Sequence, residues 1–251
     1  MKLQGFIVLL ILFFVYRFWF SFSGTLSGGD WPYLYLENIK EFSWFPDIRF
    51  LWLAPYYQIL TKFFVQYLGF SWEIIERIFW FWPFLALTIF SSYYLTKSWI
   101  GVLIYTTNTY ILMLVGGGQM GVALAYSIAP LVLKRFIDLI DKYSFSNQNI
   151  KYKILNIKYT LFSGLFLAIL VMFDPRLAYI TLLAILIYYF LVLRKVVLSK
   201  AGILFFASII LLPLAIAGVS NSYWIIPLLS GNFPKEYQGL DSIRGFDFLS
   251  F

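Results

Sequence analysis

The chain has 251 residues, 61% hydrophobic and only 12% charged, with a mean hydropathy of +0.81 and a formal net charge of +7. Soluble domains carry about 25% charge, so this composition specifies a polytopic integral membrane protein. The chain has no Cys and no His, which excludes disulfides, thiolate nucleophiles, imidazole bases and the commonest transition-metal ligands, and its positive balance reads as basic cytoplasmic loops rather than nucleic-acid binding.

Apolar runs predict an all-α chain, one transmembrane domain of about seven spans at 5–22, 78–95, 99–115, 120–140, 158–173, 177–193 and 201–218. Two readings stand for the first run. Lys2, an apolar core and Ser21-Phe22-Ser23 before Gly24 fit a cleaved signal peptide. Arg17 among Tyr16, Phe18, Trp19 and Phe20 fits a retained span whose aromatics form an interfacial belt, with the Arg snorkelling outward.

Residues 23–77 follow, too long for a connector and too aromatic for a disordered one. The loop starts with Ser27-Gly28-Gly29-Asp30-Trp31-Pro32-Tyr33, which puts the first acidic residue of the chain on a glycine turn. An Asp beside two glycines is also an ordinary turn former. Further on, Gln58, Lys62 and Gln66 recur every four residues beside Thr61, one polar stripe on an apolar helix between Trp52 and Leu68. That helix lies in the interface, lines a polar cleft, or crosses the membrane; the last would put six basic residues outside and conflicts with the charge bias.

Turns are expected at Lys97-Ser98, Gly116-Gly117-Gly118-Gln119, 141–157, Asp174-Pro175-Arg176 and Arg194 to Lys200. Pro83 and Pro130 sit inside spans and should bend them, with neighbouring helices satisfying the freed carbonyls. With the N-terminus in the cytoplasm, Lys2, Lys97, Lys134, Arg135, Lys142, Lys151, Lys153, Lys158, Arg194, Lys195 and Lys200 fall inside, whereas the short outer turns hold only Arg176. This bias fixes the orientation, leaves Asp138 and Asp141 as the inner acids, and sets 23–77 and 219–251 outside.

The glycine turn has no following Lys-Ser/Thr and no preceding strand, so it is not a nucleotide loop. It reads as a tight turn, or as backbone N–H groups offered to an anion beside Gln119. Asp174-Pro175-Arg176 is either a helix stop with a local ion pair or a guanidinium fork for a lipid phosphate. Asn108 reads as a hydrogen bond between spans. Asn221-Ser222-Tyr223-Trp224 either anchors in the interface or stacks on sugars.

A first span followed by an outer loop with Gly-Gly-Asp-Trp-Pro-Tyr resembles the GT-C class of membrane glycosyltransferases, and within it the large arabinosyltransferase-like envelope proteins of prokaryotes. Further elements of the resemblance are Tyr105, Asn108, Gly118-Gln119, Ala125-Tyr126 and Pro130-Leu131, then Asn221, Trp224 and Pro227. Thr109 stands where relatives usually have Pro, and Trp31 where many carry a second acid. Relatives continue with more spans, so the chain is expected to be the N-terminal portion of a longer protein.

The resemblance implies transfer of a sugar from a polyprenyl-phosphate donor to an acceptor on the extracytoplasmic face of the cell membrane, with Asp30 as catalytic base. Substrate would meet Trp31, Arg49 and Lys62 from the loop, and Gln119, Asp174, Arg176, Asn221 and Trp224 from the span ends. No metal, cofactor or nucleic acid is called for, and the expected partners are membrane lipids and the lipid-linked sugar. Two rival expectations are a non-catalytic scaffold of the same build, working with other membrane subunits, and a transporter or lipid flippase. Transport fits less well, because the spans are nearly free of charge.

Overall fold

The computed structural model describes residues 2–21, 23–24, 53, 55–56, 59–145, 150–193 and 206–230, with the side chains at 2, 61–62, 143–145, 150–157 and 193 left aside. Among these residues there are helices and tight turns and no strand, so the described part of the chain is all-α. The helices are α1 (Lys2–Tyr16), α2 (Phe18–Ser21), α3 (Ile59–Tyr67), α4 (Trp72–Thr96), α5 (Trp99–Thr107), α6 (Thr109–Gly116), α7 (Met120–Phe145), α8 (Ile150–Phe173), α9 (Pro175–Leu193), α10 (Ala207–Ser220) and α11 (Ser222–Leu229). Three segments, Trp72–Thr96, Met120–Lys142 and Pro175–Val192, are long and apolar enough to cross a membrane. The bent pairs α5–α6 (44°) and α10–α11 (83°) raise the number of candidate spans to five, while Leu3–Tyr16 and Lys158–Phe173 are apolar but shorter.

Side-chain register shows how the helices run. Gly5 meets Trp99 and the Tyr16 hydroxyl donates to the Thr106 carbonyl at 2.6 Å, so α1 lies parallel to α5. Arg135 sits over Phe166 and Lys142 over Tyr159, so α8 runs antiparallel to α7. Gly164 meets Ile216 and Asn221 reaches Ala168, so α10 runs parallel to α8. One end of the bundle therefore holds the Gly116–Gln119 turn, the α8–α9 junction and Asn221. The opposite end holds Lys97, Asp138, Asp141 and Lys142.

The core is apolar and aromatic, with Trp19, Phe81, Phe84, Met120, Leu124 and Phe136 fully buried. Small hydroxyl residues let helices approach, and they spend their hydrogens on backbone carbonyls. Thr88 donates within its own helix, and Ser91 crosses from α4 to the Ser127 carbonyl of α7 at 2.5 Å. The outward faces are apolar too, including Phe6, Phe13, Ile100, Ile104, Tyr179, Ile187 and Leu191. Soluble monomers rarely expose such continuous apolar surface; lipid tails suit it.

Two of the internal prolines, Pro130 and Pro83, stand beside half-buried tyrosines. Pro130 has no N–H, so the Tyr126 carbonyl four residues earlier loses its helical donor; the Tyr105 hydroxyl supplies one at 2.8 Å. The Phe79 carbonyl, four residues before Pro83 where the helix shifts to i→i−5 bonding, accepts the Tyr56 hydroxyl. Burial raises the Tyr56 phenol pKa, keeping it a donor. Tyr105→Phe should therefore cost about 1–2 kcal/mol of stability, read as a lower midpoint of thermal unfolding in detergent. In a Pro130→Ala background the carbonyl regains a backbone donor, and the same change should cost little. An equal cost in both backgrounds would refute the role.

Several expectations need correcting. Tyr16 and Trp19 are 2% and 1% exposed, packed inside against Phe84 and Phe81 rather than forming an interfacial belt. The stretch 141–157 is no long turn: α7 continues to Phe145 and α8 starts at Ile150, because its Lys, Tyr, Leu and Ile are good enough helix formers to carry the helices past the apolar region. Asn108 does more than bond a neighbour. Its Oδ1 accepts from the Ile111 N–H at 3.1 Å as an N-cap, ending α5 and starting α6 at an angle. Of the stripe helix, the described residues show nine in α3, Ile59–Tyr67.

Candidate functional site

Polar side chains gather at the end of the bundle that holds the glycine turn, on four different elements. The first is the α8–α9 junction. Asp174 is 1% exposed, and its Oδ1 accepts from the backbone N–H groups of Arg176 (2.9 Å) and Leu177 (3.0 Å), so it is the N-cap of α9. Pro175 fits the first helical position, where its missing N–H costs nothing. The Arg176 guanidinium folds back onto the same carboxylate, with Nη2 and Nε donating to Oδ2 at 2.8 and 3.2 Å. This pair is the local ion pair anticipated from the sequence. The Arg side chain remains 41% exposed, so part of the guanidinium faces outward.

The glycine turn is the second element. Gly118 takes φ +77°, a left-handed conformation that L side chains rarely adopt. The N–H groups of Gly117, Gly118, Gln119 and Met120 all bond carbonyls within the turn, to Met113, Val115, Leu114 and Gly118. These four amides are therefore not offered to an anion, contrary to that reading of the glycine run. Gly121 lies where a Cβ would come within 3.4 Å of the Phe173 carbonyl, which seats the turn directly against the α8–α9 junction.

Asn221 occupies the 83° bend between α10 and α11 and is 1% exposed. Its amide hydrogens go to the carbonyls of Ala168 (3.1 Å) and Ala217 (2.9 Å), and its oxygen accepts from the Trp224 indole at 3.2 Å. The two residues form one unit, stapling α8 to the bend.

The fourth element is the start of α4, and the sequence reading missed it. Glu76 is 2% exposed, a carboxylate on the helix face between Trp72 and Trp80, both buried. Trp80 stands edge-on to Tyr56 at 5.2 Å, and Tyr56 packs on Phe173 at 5.1 Å, so Tyr56 bridges this face to the α8–α9 junction. The signal was present. Ser71 ahead of a four-residue spacing, Trp72-Glu76-Trp80, marks a helix start with an acid on an aromatic face, but the segment reads as part of a long loop.

Asp30, Trp31 and Arg49 lie outside the described residues. Lys62 lies on α3 with its side chain left aside, and Gln66 of the same stripe is exposed. Gln119, Asp174, Arg176, Asn221 and Trp224 lie at the same end of the bundle, with direct contacts between Asp174 and Arg176 and between Asn221 and Trp224, and Glu76 lies at that end too. Tyr105, Asn108, Tyr126 and Pro130 also join. Asn108 Nδ2 donates to the Tyr126 hydroxyl at 2.8 Å, and the Tyr105 and Tyr126 rings stack at 4.1 Å. This motif secures the α5–α6 break and the proline of α7. Among the described residues no three acidic side chains gather closely enough to hold a metal ion. In comparisons with protein-family models, curated proteins and solved structures, the chain matches none of them.

Proposed function

We propose that the protein crosses the cell membrane about seven times with its N-terminus in the cytoplasm, and transfers a sugar from a polyprenyl-phosphate donor to a hydroxyl of an envelope glycan, lipid or protein. The observation that supports this reading is the gathering of Glu76, Gln119, Asp174, Arg176 and Asn221 at one end of an otherwise apolar bundle. The chain leaves α2 and enters α4 at that same end, and Asp30 lies in the sequence between them. Lys97, Lys134, Arg135 and Lys142 lie at the other end, which suits the cytoplasmic side. The packing of α1 into the core, through Val8, Leu12 and Tyr16, favours a retained first span over a cleaved leader.

The chemistry is a displacement at the anomeric carbon. Asp30 takes the proton of the acceptor hydroxyl as its oxygen bonds to that carbon. The bond to the phosphate oxygen breaks, and polyprenyl phosphate leaves with the electron pair. Cations rather than a general acid stabilise a phosphate leaving group, and Arg176, Arg49 and Lys62 supply them. Purified protein incubated with a panel of polyprenyl-phosphate sugars should release the lipid phosphate. No release from any donor would sink the transferase reading.

Orientation is tested separately. In this Cys-free chain, Leu36→Cys should react with an impermeant thiol reagent on intact cells, and Asn147→Cys should react only after lysis. Labelling at 147 but not at 36 would reverse the topology and remove the outward site. A scaffold without activity is the second reading, and one observation favours it. The Asp174 carboxylate and the Asn221 carboxamide are committed to holding helix ends.

A further inference from the structure

The end of the bundle opposite the candidate site contains a cavity of about 390 Å³, lined by Tyr94 of α4, Arg135, Asp138, Leu139, Asp141 and Lys142 of α7, and Tyr159 and Ser163 of α8. Its charges are unequally matched. Asp138 is taken up by Lys134, one turn away, and accepts the Tyr94 hydroxyl at 3.2 Å. Asp141 accepts the Tyr188 hydroxyl at 2.8 Å. The two cations have no such partner: no carboxylate lies within ion-pair distance of Arg135 or Lys142 among the described residues. Arg135 Nε is buried and meets no hydrogen-bond acceptor. Proteins rarely bury an N–H that way, and where they do the group usually awaits a ligand or serves a function.

Both cations are held by aromatic rings instead of by anions. Arg135 lies over Phe166 at 5.8 Å and Lys142 over Tyr159 at 3.8 Å. Ring contact positions a cation without neutralising it. The two residues are seven apart on α7, two turns and about 10 Å along the axis, so both side chains can turn toward one group in the cavity between them. The guanidinium offers a planar fork and the ammonium a point charge, the pair of donors that phosphate oxygens accept best.

We propose that this cavity binds the phosphodiester of a membrane phospholipid headgroup, with Arg135 and Lys142 as its ligands. The choice of a monoanionic diester over inorganic phosphate follows from the two carboxylates in the same wall. Asp138 and Asp141 repel a second negative charge but tolerate one, and a diester has only one. Phe162, exposed on α8 and adjoining Ser163 in the chain, gives the acyl chains an apolar surface next to the cavity. The site does not depend on the transferase reading, which concerns the other end of the bundle.

The test uses purified chain in a non-ionic detergent, with dihexanoyl phosphatidylglycerol as probe, dihexanoylglycerol as the same tails without phosphate, and inorganic phosphate as the soluble source. The lipid should bind and raise the unfolding midpoint, whereas dihexanoylglycerol should not. Arg135→Gln and Lys142→Gln should each weaken lipid binding roughly tenfold, as expected for loss of a charged hydrogen bond. Lys142 is exposed, so its variant keeps the test open should Arg135→Gln fail to fold. Arg17→Gln, an exposed cation at the far end of α1 from the cavity, should bind as the parent does. Unchanged binding in a folded Lys142→Gln protein, or equal binding of dihexanoylglycerol, would overturn the site. Inorganic phosphate binding as tightly as the lipid would overturn the headgroup assignment.

Discussion

Asp30→Asn is expected to lower sugar-transfer turnover by about 10²-fold or more while donor binding and folding stay near those of the parent. The substitution keeps the size and hydrogen-bonding shape of the side chain and removes its basicity, so only a step that needs the proton accepted should suffer. Released polyprenyl phosphate measures the turnover, and the circular dichroism and elution volume of the variant control for folding. Full activity in Asp30→Asn would end its role as the base. Glu76→Gln makes the informative companion, because Glu76 is a buried carboxylate at the same end of the bundle. Loss of turnover in Glu76→Gln with Asp30→Asn still active would move the base to α4.

Gly164→Leu is expected to be the most destabilising single change in the described helices, at about 3 kcal/mol or more, or to prevent folding outright. A Cβ at Gly164 would stand 2.8, 2.9 and 3.1 Å from Cδ1, Cβ and Cγ2 of Ile216. The second of these atoms is tied to the backbone of α10 and cannot swing away, so the two helices must part. Even Gly164→Ala should lose stability, since the clash exceeds the roughly 1 kcal/mol that alanine gains over glycine in a helix. Gly218, also on α10, has nothing within 4 Å of the same point. Gly218→Ala should therefore stabilise by about 0.5–1 kcal/mol, and thermal unfolding in detergent reads both changes. A parent-like midpoint for Gly164→Leu would show that α8 and α10 do not meet there.

The sequence was readable wherever one physical rule dominates locally. Four uninterrupted apolar stretches gave their helices, and the breaks at Lys97-Ser98, Gly116–Gln119 and Asp174 follow from residues that cap or cannot continue a helix. Lys97 takes φ +54°, Ser98 Oγ accepts from the Gly101 N–H at 3.3 Å, and Asp174 caps α9. The need of Pro130 for an outside donor was equally legible. Reading failed where two rules compete. At 141–157, Lys, Asn and Tyr lowered hydropathy and suggested a turn, although most of those residues propagate a helix once it is nucleated. At Tyr16 and Trp19, amphipathic side chains fit either an interface or a core, and no local feature decides between them.

By itself, then, the sequence determined the helical, apolar character of the described segments, the helix stops at Lys97-Ser98, Gly116–Gln119 and Asp174, and a separation of basic segments from the glycine turn and the Asp174–Arg176 step. These depend on hydropathy, backbone conformation and capping, which act over a few residues. Tertiary structure alone decided which polar groups meet. Glu76 joined Asp174 through Trp80, Tyr56 and Phe173, and Asn221 found Ala168, 53 positions earlier. It also left Arg135 and Lys142 without carboxylates while Lys134, Tyr94 and Tyr188 claimed the nearby acids. Such pairings depend on which helix faces which and on how closely Gly164 lets α8 and α10 approach, and helix periodicity alone cannot say which neighbour a buried polar face will meet.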